Sequence, residues 1–215
     1  MQNPTNPFGP ATPIGEFLDA AAARQPTPGG GSITSLVGAL AASMGEMTIN
    51  YSIGRKGLEA HQEQLKSSVA ELTRGRQMLI ELMIEDQAAF RAVSDARKLP
   101  DTDPTRAARF DAALLACIRI PQAMAATGVA MIELVDRLVD HVNPYLLSDF
   151  AVCAELAMAT VRCALYNVRV NLTDVKDPAD RANLQKTSNE ILNRATMLIQ
   201  RVVPRIWQRH QQTSS

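Results

Sequence analysis

The sequence predicts an all-α fold, an antiparallel multi-helix bundle in a single domain. Ala, Leu, Met, Gln, Arg and Glu dominate long uninterrupted segments, and these are the residues that lose least on entering a helix. Aromatic residues make up only 4% of the chain, and runs of alternating β-branched residues are absent. With 215 residues and 46% hydrophobic content, the chain buries one sizeable core. Lys+Arg 22 against Asp+Glu 22 gives zero net charge, which argues against nucleic acid or an anionic membrane surface as partner.

Residues 1 to 12 are polar and proline-punctuated, an N-terminal arm that is mobile or clamping. The helical domain spans 13 to 209 and a polar tail 210 to 215. A first helix from Pro13 to Arg24 carries Ile14, Phe17, Leu18 and Ala21 on one face, and Pro26 and Pro28 end it. Pro-Thr-Pro-Gly-Gly-Gly-Ser (26 to 32) then leads into a second helix ending near Ser52, before Gly54. The glycine loop reads in two ways: as a plain loop with Ser32 as N-cap, or as an anion or ligand cradle at a helix N-terminus. The small residues Ser35, Gly38, Ala39, Ala42 and Gly45 recur at helical spacing and let another backbone approach, so this helix is central. Glu46 and Asn50 lie on the lane that begins at the loop and require partners.

The third helix, Leu58 to Ala96, has a seam at Leu65, Val69, Leu72, Arg76, Leu79, Met83, Asp86, Phe90 and Val93. Asp86 breaks that seam. A seam carboxylate is paired with a cation, sets register, or is functional with a pKa raised by burial, and Arg76 is too far along the helix to pair with it. Asp103 and Pro104 open a fourth helix to Ile118, and Pro121 opens or kinks a fifth that ends near His141. A sixth begins at Ser148 with Asp149 in its first turn and carries a polar lane of Thr160, Cys163, Asn167 and Asn171. Asp177 caps a last helix over 178 to 209, kinked at Pro204.

Cys117, Cys153 and Cys163 read as reduced core residues, and with no signal-peptide pattern at the N-terminus the expected compartment is the cytoplasm. His61 and His210 read as exposed, His141 as a helix-terminal cation. No His or Cys has metal-ligand spacing, so no metal site is expected. The weakly hydrophobic span Ile33 to Ile49 suits a buried helix better than a membrane span.

Several of these pieces together resemble the cyclodeaminase/cyclohydrolase family of folate enzymes: the 26 to 32 loop, Asn50 with Ile-Gly-Arg-Lys (53 to 56), Glu-Asp-Gln-Ala-Ala-Phe (85 to 90), Lys-Leu-Pro (98 to 100), Ser-Asp (148 to 149) and Asn-Val-Arg-Val-Asn-Leu (167 to 172). The resemblance implies a helical homodimer, a tetrahydrofolate derivative as substrate, no tightly bound cofactor, and Asp86 as the catalytic acid/base. It implies closure of 5-formiminotetrahydrofolate with loss of ammonia, or alternatively opening of 5,10-methenyltetrahydrofolate by water; a non-catalytic folate-binding or structural bundle is the remaining reading. Gly29, Gly30, Gly31 and Ser32 would line the pocket with backbone donors, and Asn50 and Asn171 would bind ligand or hold helices. Arg55 and Lys56 would capture the glutamate tail or cap their helix, and Asp149 would bind a pterin edge or stabilise its helix N-terminus.

Overall fold

The computed structural model describes residues 8–213. Six helices follow in order: α1 (Ile14–Ala22), α2 (Gly30–Asn50), α3 (Gln62–Lys98), α4 (Arg106–Leu138), α5 (Leu147–Leu172) and α6 (Pro178–Thr213), with short 3-10 turns before α3 and α5. No strand occurs among the described residues.

Helix α2 lies against α3 and α5, antiparallel to both. A Cβ at Gly38 would meet Leu79 on α3 and Thr160 on α5, and one at Gly45 would meet Leu72 and Cys153. At Gly31 it would overlap the Asp86 carboxylate, and at Gly30 it would meet Asn167. Seven-residue steps on α2 therefore face seven-residue steps on both neighbours, the spacing that keeps antiparallel helices in contact along one lane. Helix α4 completes the core behind α2. It runs antiparallel to α3, where Arg137 bonds Glu71, and to α5, where Asn171 bonds the Cys117 carbonyl. Helix α6 straps α4 through Arg194–Glu133, Arg201–Asp136 and Arg205 to Asp136 and Asp140. Two helices, α2 and α4, are long and apolar enough to cross a membrane, but about half of each apolar window is buried inside the bundle.

Several element boundaries differ from expectation. Residues 104 to 141 do not form two helices: Pro121 sits buried inside a continuous α4. The ring removes one N–H and disfavours the helix, yet apolar burial on both sides of it, at Ile118 and Met124, holds the helix through. Helix α6 likewise continues through Pro204 to Thr213, past the expected end at Arg209. Ser148 is not an N-cap, because a 3-10 turn capped by Asn143 delivers the chain into α5 at Leu147. Asp177 does cap α6, accepting from the amides of Ala179 and Asp180. Cys117 and Cys153 are buried, but Cys163 is exposed. His61 stacks on His141 with ring centroids 3.7 Å apart instead of standing free. Residues 1–7 of the arm lie outside the described residues; Phe8 is clamped, exchanging hydrogen bonds with Gln87 on α3 in both directions.

The α4–α5 crossing is tightest at Gly128, where a Cβ would lie 2.8 Å from Val161 Cγ2 and 2.9 Å from the Ala157 carbonyl oxygen. A backbone oxygen cannot swing away. Gly128→Ala should therefore cost about 1–3 kcal/mol through overpacking, despite the better helix propensity of alanine. Gly15→Ala on α1, with nothing within 4 Å of the added carbon, should instead be neutral or stabilising by up to about 1 kcal/mol. Urea unfolding of both variants checks the sign of each.

Candidate active site

The end of the bundle where α2 begins holds a cleft of about 220 Å³ lined by Gly29, Gly30, Gly31, Asp86, Asn167 and Asn171 among others. Its floor is the first turn of α2. Gly29 occupies the N-cap position, and the amides of that turn have no partner within the helix. The Asp86 carboxylate lies over Gly31, in space that any side chain there would fill. A side chain at 31 would displace the acid from this position.

Burial pushes the Asp86 carboxyl up to about 6 from an ordinary 3.8. No ion pair to Asp86 exists among the described residues, so nothing cancels the desolvation except the positive end of α2. The other carboxylate on the central helix behaves differently. Glu46 accepts hydrogen bonds from Arg76 Nε at 2.7 Å and from Thr73. That pair answers the partner requirement of the α2 lane and occupies the one cation on the α3 seam.

Around Asp86, α5 supplies two amides. Asn171 donates to the carbonyls of Asn167 and Cys117, fixing its side chain between α5 and α4. Asn167 donates to the Cys163 carbonyl, and its Oδ1 faces Gly30. The Cys117 thiol lines the same cleft and is pushed up to about 11, first by burial and then by the neighbouring Asp86 charge, so it is a neutral thiol. Phe90 leaves the seam and contributes an exposed ring to the rim. Gln87, held by Phe8, closes the side toward the arm.

The structure brings Gly29, Gly30, Gly31, Asp86 and Asn171 together. Ser32 does not cap the helix and does not line the cleft: it lies inside α2, fully buried, its Oγ without a hydrogen-bond partner. Asn50, Arg55, Lys56 and Asp149 stand elsewhere. Asn50 ends α2, and Arg55 and Lys56 follow it, about 30 Å from Gly30 at 1.5 Å per residue. Asp149, in the first turn of the antiparallel α5, belongs to that far end too, where Arg55 lies over the Tyr145 ring. Asn167 was legible as a neighbour of Asn171 on one lane. Gln87 was named only within the 85 to 90 motif and Cys117 only as a core residue; their places in the cleft depend on the arm and on the α4–α5 crossing.

A family model described as formiminotransferase-cyclodeaminase matches residues 13–190. The methenyltetrahydrofolate cyclohydrolase of Methylorubrum extorquens is 32% identical over 193 residues, which cover 88% of this chain and 93% of that one. The formimidoyltransferase-cyclodeaminase of Gallus gallus is 26% identical over 187 residues, covering 85% of this chain but only 35% of that longer enzyme. The crystal structure of formiminotetrahydrofolate cyclodeaminase from Thermotoga maritima matches with a TM-score of 0.84 at 26% identity, covering 95% of this chain and 98% of that one.

The Asp86 environment has a consequence for stability. Below pH 3.8 the carboxyl is protonated in folded and unfolded chains alike, and it costs nothing. As pH rises from 3.8 toward 6 the unfolded chain ionises first, so native stability falls, by about 3 kcal/mol at most. Asp86→Asn removes this penalty. Urea unfolding of both proteins across that window should show the variant gaining on the wild type as pH rises; a pH-independent difference would refute the burial argument.

Proposed function

Because the chain belongs to the formiminotransferase-cyclodeaminase family of folate one-carbon enzymes, we propose that the Asp86 cleft closes the N5–N10 bridge of 5-formiminotetrahydrofolate, releasing ammonia and giving 5,10-methenyltetrahydrofolate. The observation that carries this reading is a single partly buried carboxyl, poised near pH 6 and free of any described cation. Such a group can take a proton and return it within one turnover at neutral pH.

The reaction begins with Asp86 ionised and the formimino group protonated. N10 attacks the formimino carbon, the C=N π pair moves to the terminal nitrogen, and a tetrahedral carbon results. Asp86 takes the N10 proton and delivers it to the terminal nitrogen, which leaves as ammonia. The N5 lone pair re-forms a double bond to carbon, and Asp86 is again a carboxylate. Asn167 Oδ1 accepts a hydrogen bond from the terminal N–H and aims it at Asp86, and Asn171 keeps α5 at the distance this requires. The N-terminus of α2 stabilises the ionised acid before and after transfer. On this reading the enzyme acts as a cytoplasmic homodimer with a tetrahydrofolate derivative as substrate and no tightly bound cofactor.

The 32% identity to a cyclohydrolase that the chain matches almost end to end favours a second reading. There Asp86 takes a proton from the water that attacks the methenyl carbon and returns it to N5 as the N5–C bond breaks, and the hydroxyl proton is released to solvent as the formyl C=O forms, giving 10-formyltetrahydrofolate. One acid/base group serves both reactions.

Purified protein mixed with each substrate separately, with the near-ultraviolet methenyl band followed, distinguishes them. Growth of the band from 5-formiminotetrahydrofolate establishes closure, and accelerated decay of 5,10-methenyltetrahydrofolate establishes opening. In either case Asp86→Asn should lower kcat by at least about a hundredfold. Since the acid must start ionised, kcat should fall as pH drops below about 6. Dialysis against a chelator should leave the rate unchanged. No turnover of either substrate by folded protein overturns the assignment.

A further inference from the structure

We propose that Pro121 is a positioning residue for the Asp86 cleft: by withholding a backbone amide from the Cys117 carbonyl, it reserves that carbonyl for Asn171 and turns the Asn171 side-chain oxygen toward the substrate. This deepens the functional reading above and rests on it for the identity of the ligand.

A proline inside a helix leaves the carbonyl four residues earlier without its usual donor, and its ring presses that carbonyl away from the helix axis. In α4 the carbonyl so treated is that of Cys117, a residue only 8% exposed. Little water reaches a residue so buried, and a buried carbonyl without a partner costs more than an ordinary hydrogen bond returns. The donor comes from another helix. Asn171 Nδ2, in the last turn of α5, lies 3.2 Å from the Cys117 oxygen. Pro204 in α6 gives the contrast. It and Gln200, whose carbonyl it frees, are both exposed, so solvent supplies the hydrogen bond and no side chain is recruited.

The second Asn171 Nδ2 hydrogen goes to the Asn167 carbonyl at 2.8 Å. Both neighbours are carbonyl oxygens, which only accept, so the nitrogen must face them and Oδ1 must face away. A flipped amide would set oxygen against oxygen at both contacts. Asn171 lines the cleft beside Asp86 and Asn167, and its Oδ1 accepts from none of the described residues. The wall made by α5 therefore offers two amide oxygens, this one and the Asn167 Oδ1 that faces Gly30. They suit a ligand that brings N–H or O–H donors to the reacting carbon: the formimino nitrogen in ring closure, or the attacking water in ring opening.

Pro121 does not line the cleft, so it acts through the Cys117 carbonyl. An amide hydrogen at 121 would undo the arrangement. It would donate to that carbonyl along the helix axis, draw the oxygen back from α5 and leave Asn171 with one fixed contact instead of two. The side-chain amide could then turn its donor end into the cleft.

Two variants separate the missing hydrogen from the ring: Pro121→Ala, and an ester variant carrying L-lactate at 121, introduced by nonsense suppression. Both lack the ring, but only the ester also lacks the N–H. Pro121→Ala should fold, since it gains a helical hydrogen bond. It should lower kcat about tenfold, the scale of one hydrogen bond to a charged group, while KM changes little, because a swinging acceptor misaligns the reacting group without releasing the rest of the ligand. The ester should restore wild-type kcat. Equal losses in both variants would make the ring a packing element and overturn the proposal; so would an unfolded Pro121→Ala, or one with undiminished kcat. In an Asn171→Ala background, Pro121→Ala should bring no further loss, and an additive loss overturns the relay.

Hydrogen exchange of the Asn171 side-chain amide, read by nuclear magnetic resonance and assigned by its disappearance in Asn171→Ala, needs no turnover. It should quicken at least about fivefold in Pro121→Ala and return to the wild-type rate in the ester. If the wild type turns over neither substrate, the functional reading fails separately, and an exchange rate unchanged by Pro121→Ala is what overturns the role of Pro121.

Discussion

Three glycines at seven-residue steps, Gly31, Gly38 and Gly45, set the distance between the central helix and its two neighbours. Each costs about 1 kcal/mol of helix propensity relative to alanine. What offsets that cost is close packing: Leu72 and Leu79 from α3, with Cys153 and Thr160 from α5, fill the space where side chains of α2 would stand. Register is then fixed at two of the three steps by apolar shape. The third step inherits it, and there α3 presents Asp86 instead of leucine. The acid is located by the same contacts that hold the bundle together, so its position needs no salt bridge. Precision at the cleft is a by-product of core packing.

The contrast between Asp86 and Glu46 shows how little separates a structural carboxylate from a reactive one. Both lie on packed surfaces of the α2–α3 pair. Glu46 meets Arg76 and Thr73, which hold it with charge-assisted hydrogen bonds. Asp86 meets a bare glycine backbone and a thiol that its own charge helps keep protonated. A cation beside Asp86 would stabilise the protein and hold the carboxyl ionised, at a pKa too low to pass a proton onward. Its isolation raises the pKa at the expense of native stability above the titration window.

Much of this was legible in the sequence because it is periodic. Helix type, the central place of the small-residue helix and the break in the α3 seam all follow from spacing, and the Asp177 cap follows from local hydrogen-bond chemistry. The family resemblance then singled out Asp86 from the readings that the seam had left open. What spacing misses is what a second element decides. Pro121 stays within α4 because its neighbours are buried on both sides, and Ser32 points into the core because the helix starts three residues earlier than a serine cap requires. Cys163 and Asn167 share a polar lane, yet one is exposed and the other faces Gly30. Motif pieces adjacent in a family signature carry no distance, so nothing in the sequence places Arg55 and Lys56 a helix length from Asp86.

That separation has a physical logic once both ends are considered together. A cationic cluster built next to Asp86 within one chain would pull its pKa down and spoil the proton transfer. Placing the cations at the opposite end of α2 keeps them from the acid within each chain, with a low-charge helix between them. Distance along one low-charge helix thereby preserves the raised pKa that burial gives Asp86.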